Sequence, residues 1–166
     1  NPASNHPRLM KSLLGVRRRG GQVIVINPIR EAGLERFSVP SDVRSLLFGS
    51  RIATHVVQPH IGGDAFLLCG VARLLLERNA VDASFVDAYT RGFTSFQQAI
   101  QHLSFEEIET GSGCSRAEIE ALTDRLMAGE RIIFAWAMGI THHRHGTNTV
   151  QLIAALAMLR GMLGRP

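Results

Sequence analysis

The chain has 166 residues, of which 45% are hydrophobic and 19% are charged, and its formal net charge is +4. This composition excludes an intrinsically disordered chain, and the length is sufficient for a domain with a buried core. Arginine carries almost all of the positive charge, because Lys11 is the single lysine, and guanidinium groups suit the recognition of phosphate or carboxylate.

The same composition disfavours several kinds of protein. A nucleic-acid-binding surface is not favoured, because there is no long basic run and there are only one Trp and one Tyr for stacking. The two cysteines, Cys69 and Cys114, are far apart and form no CxxC, which disfavours a thiolate metal or iron–sulfur site and fits a reducing, cytoplasmic setting. The apolar segment Val150–Leu163 is too short and too interrupted to span a membrane.

The first third of the chain alternates between helix and strand patterns. After a loop, Asn1–His6, we predict a helix over Pro7–Arg19 and a buried strand over Gln22–Asn27. Irregular structure is predicted for Ile29–Val39 and a short helix for Asp42–Phe48. This helix-to-strand alternation is typical of an α/β fold.

A second strand and a strong helix follow. HVVQP, at His55–Pro59, predicts a short strand, and Asp64–Glu77 predicts a helix that is apolar on most faces and therefore largely buried. Asp64 is predicted to be its N-cap.

The middle of the chain is predicted to be a series of helices, each marked by a capping residue. Asp82 suits an N-cap, and three further pairs have capping-box spacing. These pairs are Thr94 with Gln97, Ser104 with Glu107, and Ser115 with Glu118. We assign this region a scaffolding role.

The apolar run Arg131–Ala137 predicts a further buried strand. A histidine-rich loop, Thr141–His145, follows it, and a final helix is predicted over Thr147–Met162. With the earlier elements, this predicts an α/β fold: a three-layer, doubly wound, mostly parallel sheet with helices on both faces, in which residues 1–166 form one domain. Because the chain begins with Asn-Pro and ends just after a helix, we expect it to be a fragment of a larger chain.

Three positions are candidates for ligand binding. Gly62-Gly63-Asp64 stands at a strand–helix junction, where glycines allow close approach of a ligand. The Asp64 carboxylate can accept from paired N–H donors, such as those of guanine, or from ribose hydroxyls. A plain turn with a capping Asp is the alternative. Asn27 ends a strand, where it can bind a nucleotide or bond within its own turn.

The third candidate is the turn Met138–His142, in which Gly139 would permit a close backbone approach. The histidines of the loop are interpreted as surface polarity rather than as a metal site, because no acidic or cysteine partners accompany them. The Arg17–Arg19 run is interpreted as a solvated last helical turn, with phosphate or nucleic-acid binding as the alternative.

Several catalytic and nucleotide motifs are absent. The sequence contains no GxGxxG, no GxxxxGK[ST] and no GxSxG, and neither cysteine stands beside an evident base. The sequence therefore indicates a binding domain without a complete catalytic set.

Several pieces of the sequence, in this order, resemble the molybdopterin oxidoreductase family, specifically its formate dehydrogenase-like branch. They are Asn1–Pro7, Val23–Pro28, Ile61–Asp64, Trp136–His142 and Leu159–Pro166. The resemblance implies an α/β domain that binds one of the two molybdopterin guanine dinucleotides, which together carry molybdenum in the parent enzyme. The parent would perform two-electron redox chemistry on a small-molecule substrate.

The resemblance also implies roles for individual residues, every one of them in cofactor binding. Ser4 and His6 would lie in the first cofactor loop, and Ile26 and Asn27 beside the nucleotide half. Gly62 and Asp64 would hold the guanosine. Met138, Gly139 and His142 would lie nearer the pterin and diphosphate.

The departures from the family pattern limit what this chain would do alone. Asn27-Pro28-Ile29 replaces Asp-Pro-Arg, His142 replaces a frequent Gln, and Glu31–Arg51 resembles an insertion. The family's molybdenum ligand is not in this segment, nor are cysteines for an iron–sulfur cluster, so the fragment by itself is expected to be inactive.

The expected partners are the remaining domains of the parent chain, and surface that those domains would cover favours self-association of the fragment. The alternative function is a non-catalytic α/β module that binds nucleotide or nucleic acid through Arg17–Arg19 and the histidine-rich loop.

Overall fold

The computed structural model describes residues 2–164 and divides them into two compact units, one up to Gln58 and one from Pro59. Asn1, Arg165 and Pro166, which belong to the first and last of the resembling pieces, lie outside the described residues. Each unit is described separately, and the prediction of a single domain over residues 1–166 stays a prediction.

The first unit combines four helices with four short strands. In chain order they are α1 (Pro2–Asn5), α2 (Pro7–Arg18), β1 (Ile24–Ile26), α3 (Ala32–Glu35), β2 (Arg36–Phe37), α4 (Val43–Phe48), β3 (Ser50–Arg51) and β4 (His55–Val57). The predicted helices at Pro7 and Asp42 and both predicted strands are confirmed, although the strands are shorter. The predictions of a loop before His6 and of irregular structure throughout 29–39 were wrong, because single helical turns form in both.

The strands of the first unit form two small sheets. β1 and β4 are parallel, with Val25 opposite Val56, and β2 and β3 are antiparallel. Beneath them lies a core of buried apolar residues from α2, α3 and the connecting segments. Its buried members are Met10, Leu14, Val23, Leu34, Val39 and Ile52.

In its described part, the second unit has helices as its only regular secondary structure. It contains α5 (Asp64–Glu77), α6 (Ala83–Tyr89), α7 (Phe93–His102), α8 (Phe105–Ser112), α9 (Arg116–Ala128), α10 (Met138–Thr141) and α11 (Gly146–Leu159). The central helix is α5, as its apolar sequence predicts, and it packs against α7, α8, α9 and α11. Gly70 permits this approach, since a Cβ there would lie 2.8 Å from Ile108 and 3.0 Å from Ile119.

The predicted buried strand Arg131–Ala137 is wrong. The segment forms no strand, and Ile133 is 93% exposed. An apolar, β-branched run favours extended backbone, but a strand also needs a neighbour for its N–H and C=O groups, and no described residue pairs with this segment. The chain is therefore mixed α/β with helices dominant and a small parallel sheet, and a three-layer doubly wound sheet is not confirmed within residues 2–164.

Three of the four helix caps predicted in the middle of the chain, between residues 82 and 118, are confirmed. Asp82 accepts from the Phe85 N–H, and Ser104 and Ser115 each form a reciprocal capping box with the Glu three residues later. The cap predicted at Thr94 is wrong, because the left-handed backbone of Gly92, at φ 78°, starts α7 earlier and places Thr94 inside its first turn.

This difference gives a prediction of helix stability. Ser115→Ala should lower the free energy of unfolding by about 1 kcal/mol, because it removes a side-chain acceptor from α9. Thr94→Ala should change it by less than about 0.5 kcal/mol, since Thr94 is exposed and caps nothing. Urea unfolding measures both values, and equal losses in the two variants would contradict this assignment of the caps.

Across residues 2–164, every helix falls short of the length and apolar character required to cross a membrane.

Candidate functional site

The loop before α5 is held against the end of α8 by its backbone. The His60 N–H donates to the Ser112 carbonyl at 2.7 Å, and the Gly63 N–H donates to the His60 carbonyl at 2.9 Å. Gly63 is buried there, since a Cβ at this position would lie 2.8 Å from the Gly111 carbonyl oxygen. Gly62 instead is exposed, with a φ of +81° that favours glycine. The loop therefore has one face fixed to the helices and one face open.

Asp64 is the first residue of α5 and not its N-cap, so the predicted cap was wrong. Gly63 occupies the N-cap position and makes no side-chain capping bond. Burial raises the pKa of the Asp64 carboxyl, while a bond to its own backbone N–H and the charge of His143 oppose this rise. The carboxylate thus stands half-buried at the start of a 14-residue helix, where it bonds to its own backbone N–H and caps no later residue.

His143 connects this loop with the histidine-rich segment. A Cβ built on Gly62 would lie 3.9 Å from His143 Nδ1, and His143 is the charged group that lowers the pKa of Asp64. The structure therefore brings the histidine-rich loop to the Gly62–Asp64 candidate through His143. The cluster of three histidines was the signal in the sequence, but nothing in their spacing shows which one turns toward Gly62.

The other candidates of the second unit lie on an exposed helical turn. Met138 and Gly139 fall in α10, and the His142 N–H closes the turn by donating to the Met138 carbonyl at 2.9 Å. Met138 is 63% exposed, His142 is exposed, and a Cβ on Gly139 would have no neighbour within 4 Å. All three are accessible to a ligand.

Asn27, in the first unit, uses its carboxamide locally. Its Nδ2 donates to Glu31 Oε1 at 2.9 Å, and its Oδ1 accepts from the Ile29 N–H at 3.1 Å. Of the two roles considered for Asn27, the structure shows the bond within its own turn. Ile26, at the end of β1, is 39% exposed. Ligand contacts by these two residues stay predictions.

Ser4 and His6 lie near the start of the first unit. Ser4 is in α1, and His6 precedes α2 without a side-chain capping bond. Both are exposed, and their predicted cofactor role stays a prediction.

Two of the three arginines of the Arg17–Arg19 run are engaged within the first unit. Arg17 donates to the Gly21 carbonyl at 2.9 Å, and Arg18 pairs with Asp42 at 2.5 Å. Arg17 and Arg18 thus bond within the first unit, as is typical of arginines at a helix end, and these bonds do not favour a nucleic-acid surface.

The two thiols lie in surroundings that oppose ionisation. Burial raises the pKa of Cys69 to about 11 and also raises the pKa of Cys114. Within residues 2–164, no three His, Cys, Asp or Glu side chains come together as metal ligands would.

No family model matches the chain, but individual proteins do. Protein YdeP of Escherichia coli K12 is 38% identical over 178 aligned residues, which cover all of this chain and 24% of that protein. Formate dehydrogenase H of the same organism is 27% identical over 166 residues, again covering all of this chain and 21% of that protein. The chain thus spans about a quarter or less of these relatives' length.

The whole chain is thus similar to a part of formate dehydrogenase H, as the resemblance to the formate dehydrogenase-like branch of the molybdopterin oxidoreductase family implies. The resemblance seen in the sequence is thereby confirmed. Among solved structures, acetylene hydratase from Pelobacter acetylenicus superimposes with a TM-score of 0.78 at 18% identity, over 93% of this chain and 19% of that one. That likeness shows a shared fold.

Proposed function

We propose that this chain binds the guanine nucleotide end of a molybdopterin guanine dinucleotide in a molybdenum-dependent oxidoreductase. The observation that carries the proposal is the half-buried Asp64 carboxylate, which has no capping role at the start of α5 and stands beside an open glycine. A carboxylate can accept both N–H groups on one edge of guanine, and such charge-assisted pairs are strong and directional.

The residues around Asp64 fit this ligand. The exposed Gly62 leaves room for a base or ribose near the backbone, and the first turn of an α-helix has N–H groups without partners inside the helix. Met138, Gly139 and His142 would contact the diphosphate or pterin from their exposed turn. The resemblance also implies cofactor contacts for Ser4, His6, Ile26 and Asn27 of the first unit. For such a contact, Asn27 would exchange its bond to Glu31 for one to the nucleotide.

In the parent enzyme, the molybdenum carried by two such cofactors would supply two-electron, formate dehydrogenase-like redox chemistry on a small substrate. This chain would hold and orient one cofactor, and the remaining domains of the parent would supply the metal ligand and any iron–sulfur cluster. The protein would then be a cytoplasmic enzyme, with this segment inactive alone. The alternative nucleic-acid role receives no support from Arg17 and Arg18, which bond within their own unit.

The proposal is tested by calorimetric titration of the chain with GDP and with ADP. Adenine presents an acceptor where guanine presents an N–H, so it would face the Asp64 carboxylate with like partial charge. We expect saturable GDP binding and ADP binding weaker by roughly 10- to 100-fold, as for the loss of one or two hydrogen bonds to a charged group. Equal affinities, or no binding of GDP, would overturn the proposal.

A further inference from the structure

The first unit contains a surface pocket lined mainly by arginine. Its volume is about 530 Å³, which falls within the usual range for small-molecule sites. We call it the arginine pocket, and it is lined by Arg18, Arg36, Arg44, Phe48, Gly49 and Ser50. None of these residues belongs to the nucleotide site proposed above.

The arginines reach the pocket from three different elements. Arg18 comes from the end of α2, Arg36 from β2 and Arg44 from α4. Arg36 lies across Gly49, since a Cβ there would be 2.7 Å from its Nε, and it donates to the Phe48 carbonyl. Gly49 has a φ of +66°, which favours glycine, and its lack of a Cβ leaves space for the Arg36 guanidinium over the backbone.

The pocket concentrates positive charge that the unit does not neutralise. Arg36 stands directly opposite Arg51 in the β2–β3 pair, and like charges at such positions are destabilising. Arg44 is exposed, and its charge acts on Asp42, whose carboxylate pairs with Arg18.

The nearby carboxylate of Asp42 already has two bonding partners in the first unit. It pairs with Arg18 through one oxygen and caps α4 through the other, which accepts from the Ser45 N–H at 2.8 Å. The bond to Arg18, the bond to Ser45 and the charge of Arg44 all lower the pKa of Asp42. Asp42 therefore orients Arg18 without cancelling the charge of Arg36, Arg44 and Arg51.

We propose that the arginine pocket binds the diphosphate group of a small molecule. Guanidinium groups present flat forks of N–H donors that match phosphate oxygens in pairs, and several converging arginines require a ligand with more than one negative charge. A diphosphate would relieve the repulsion between Arg36 and Arg51 and would engage the exposed guanidinium of Arg44.

The test is calorimetric titration of the chain with inorganic pyrophosphate at low ionic strength. Wild type should bind saturably, and Arg44→Gln should weaken binding about tenfold, as for the loss of one charge-assisted pair. Arg91→Gln is the matched control, since Arg91 is exposed but lies in the second unit, and it should bind as wild type does. Circular dichroism checks that each variant keeps its helices.

Further measurements separate this proposal from its competitors. Arg44→Gln should leave the preference for GDP over ADP unchanged, because that preference is assigned to Asp64 and Arg44 lines only the arginine pocket. A failure of the nucleotide site is thereby distinguished from a failure of the arginine pocket. Equal affinity in wild type and Arg44→Gln would overturn the proposal. Binding of duplex DNA that depends on Arg44, without binding of pyrophosphate, would assign the surface to a polynucleotide backbone and also overturn it.

Discussion

Replacing Asp64 with Asn is expected to weaken GDP binding by roughly 10- to 100-fold, the effect of losing one or two hydrogen bonds to a charged acceptor. Asn keeps the size of the side chain, but it presents one acceptor and one donor, so it cannot accept both N–H groups of guanine. Calorimetric titration of both proteins measures the difference.

The control is Glu106→Gln, which removes another carboxylate from the first turn of a helix, α8, in the same unit. Glu106 is exposed and lies outside the proposed nucleotide site, so its loss should leave GDP affinity unchanged. A loss of affinity common to both variants would indicate a general electrostatic effect and would contradict a specific role for Asp64.

The pH dependence of binding provides a second readout of the same residue. Because burial raises the pKa of Asp64, the carboxylate that accepts from guanine is lost at a pH above the ordinary aspartate value. GDP affinity should therefore fall as the pH decreases through that raised pKa, and Asp64→Asn should not show this step. The carboxyl chemical shift of Asp64 in an NMR titration locates the same midpoint.

The raised pKa also determines the sign of a stability effect. The folded state binds the Asp64 proton more tightly than the unfolded state, so between the two pKa values the free energy of unfolding falls as the pH rises. Asp64→Asn should remove this contribution to the slope.

Local features of the fold were predictable from the sequence, whereas long-range ones were not. The caps at Asp82, Ser104 and Ser115 depend on backbone and side-chain groups three residues away, and these caps were predicted correctly. The pairing of a strand depends on a neighbour far along the chain, which a local pattern does not reveal. The apolar run at Arg131–Ala137 therefore predicts a strand, although no described residue pairs with it.

The same distinction between local and long-range features applies to the candidate site. Gly62 and Asp64 were selected because glycine and aspartate at the start of a helix have clear local chemistry. The proximity of His143 to them is set by the packing of separate segments, which no spacing in the sequence records. For Asn27, the sequence left open whether it binds a nucleotide or bonds within its own turn. In the folded chain it bonds to Glu31 and Ile29.

Gly63→Ala is expected to lower the free energy of unfolding by about 2–3 kcal/mol, the usual effect of an added methyl group in a packed contact. The Gly63 backbone, at φ −80°, is one that alanine adopts easily, so the effect would be steric. The new Cβ would lie 2.8 Å from the Gly111 carbonyl oxygen and 2.9 Å from that of Ser112. These are backbone atoms, and the bond from the His60 N–H to Ser112 holds them in place.

Thermal unfolding measures this effect, and for a chain of this size the midpoint should fall by about 4–12 °C. Gly139→Ala is the matched control, because its Cβ would have no neighbour within 4 Å and alanine is the better helix former. Gly139→Ala should unfold at or slightly above the wild-type temperature. If Gly63→Ala also matched wild type, the loop before α5 would not be fixed to α8, and the position of Asp64 beside His143 would lose its structural support.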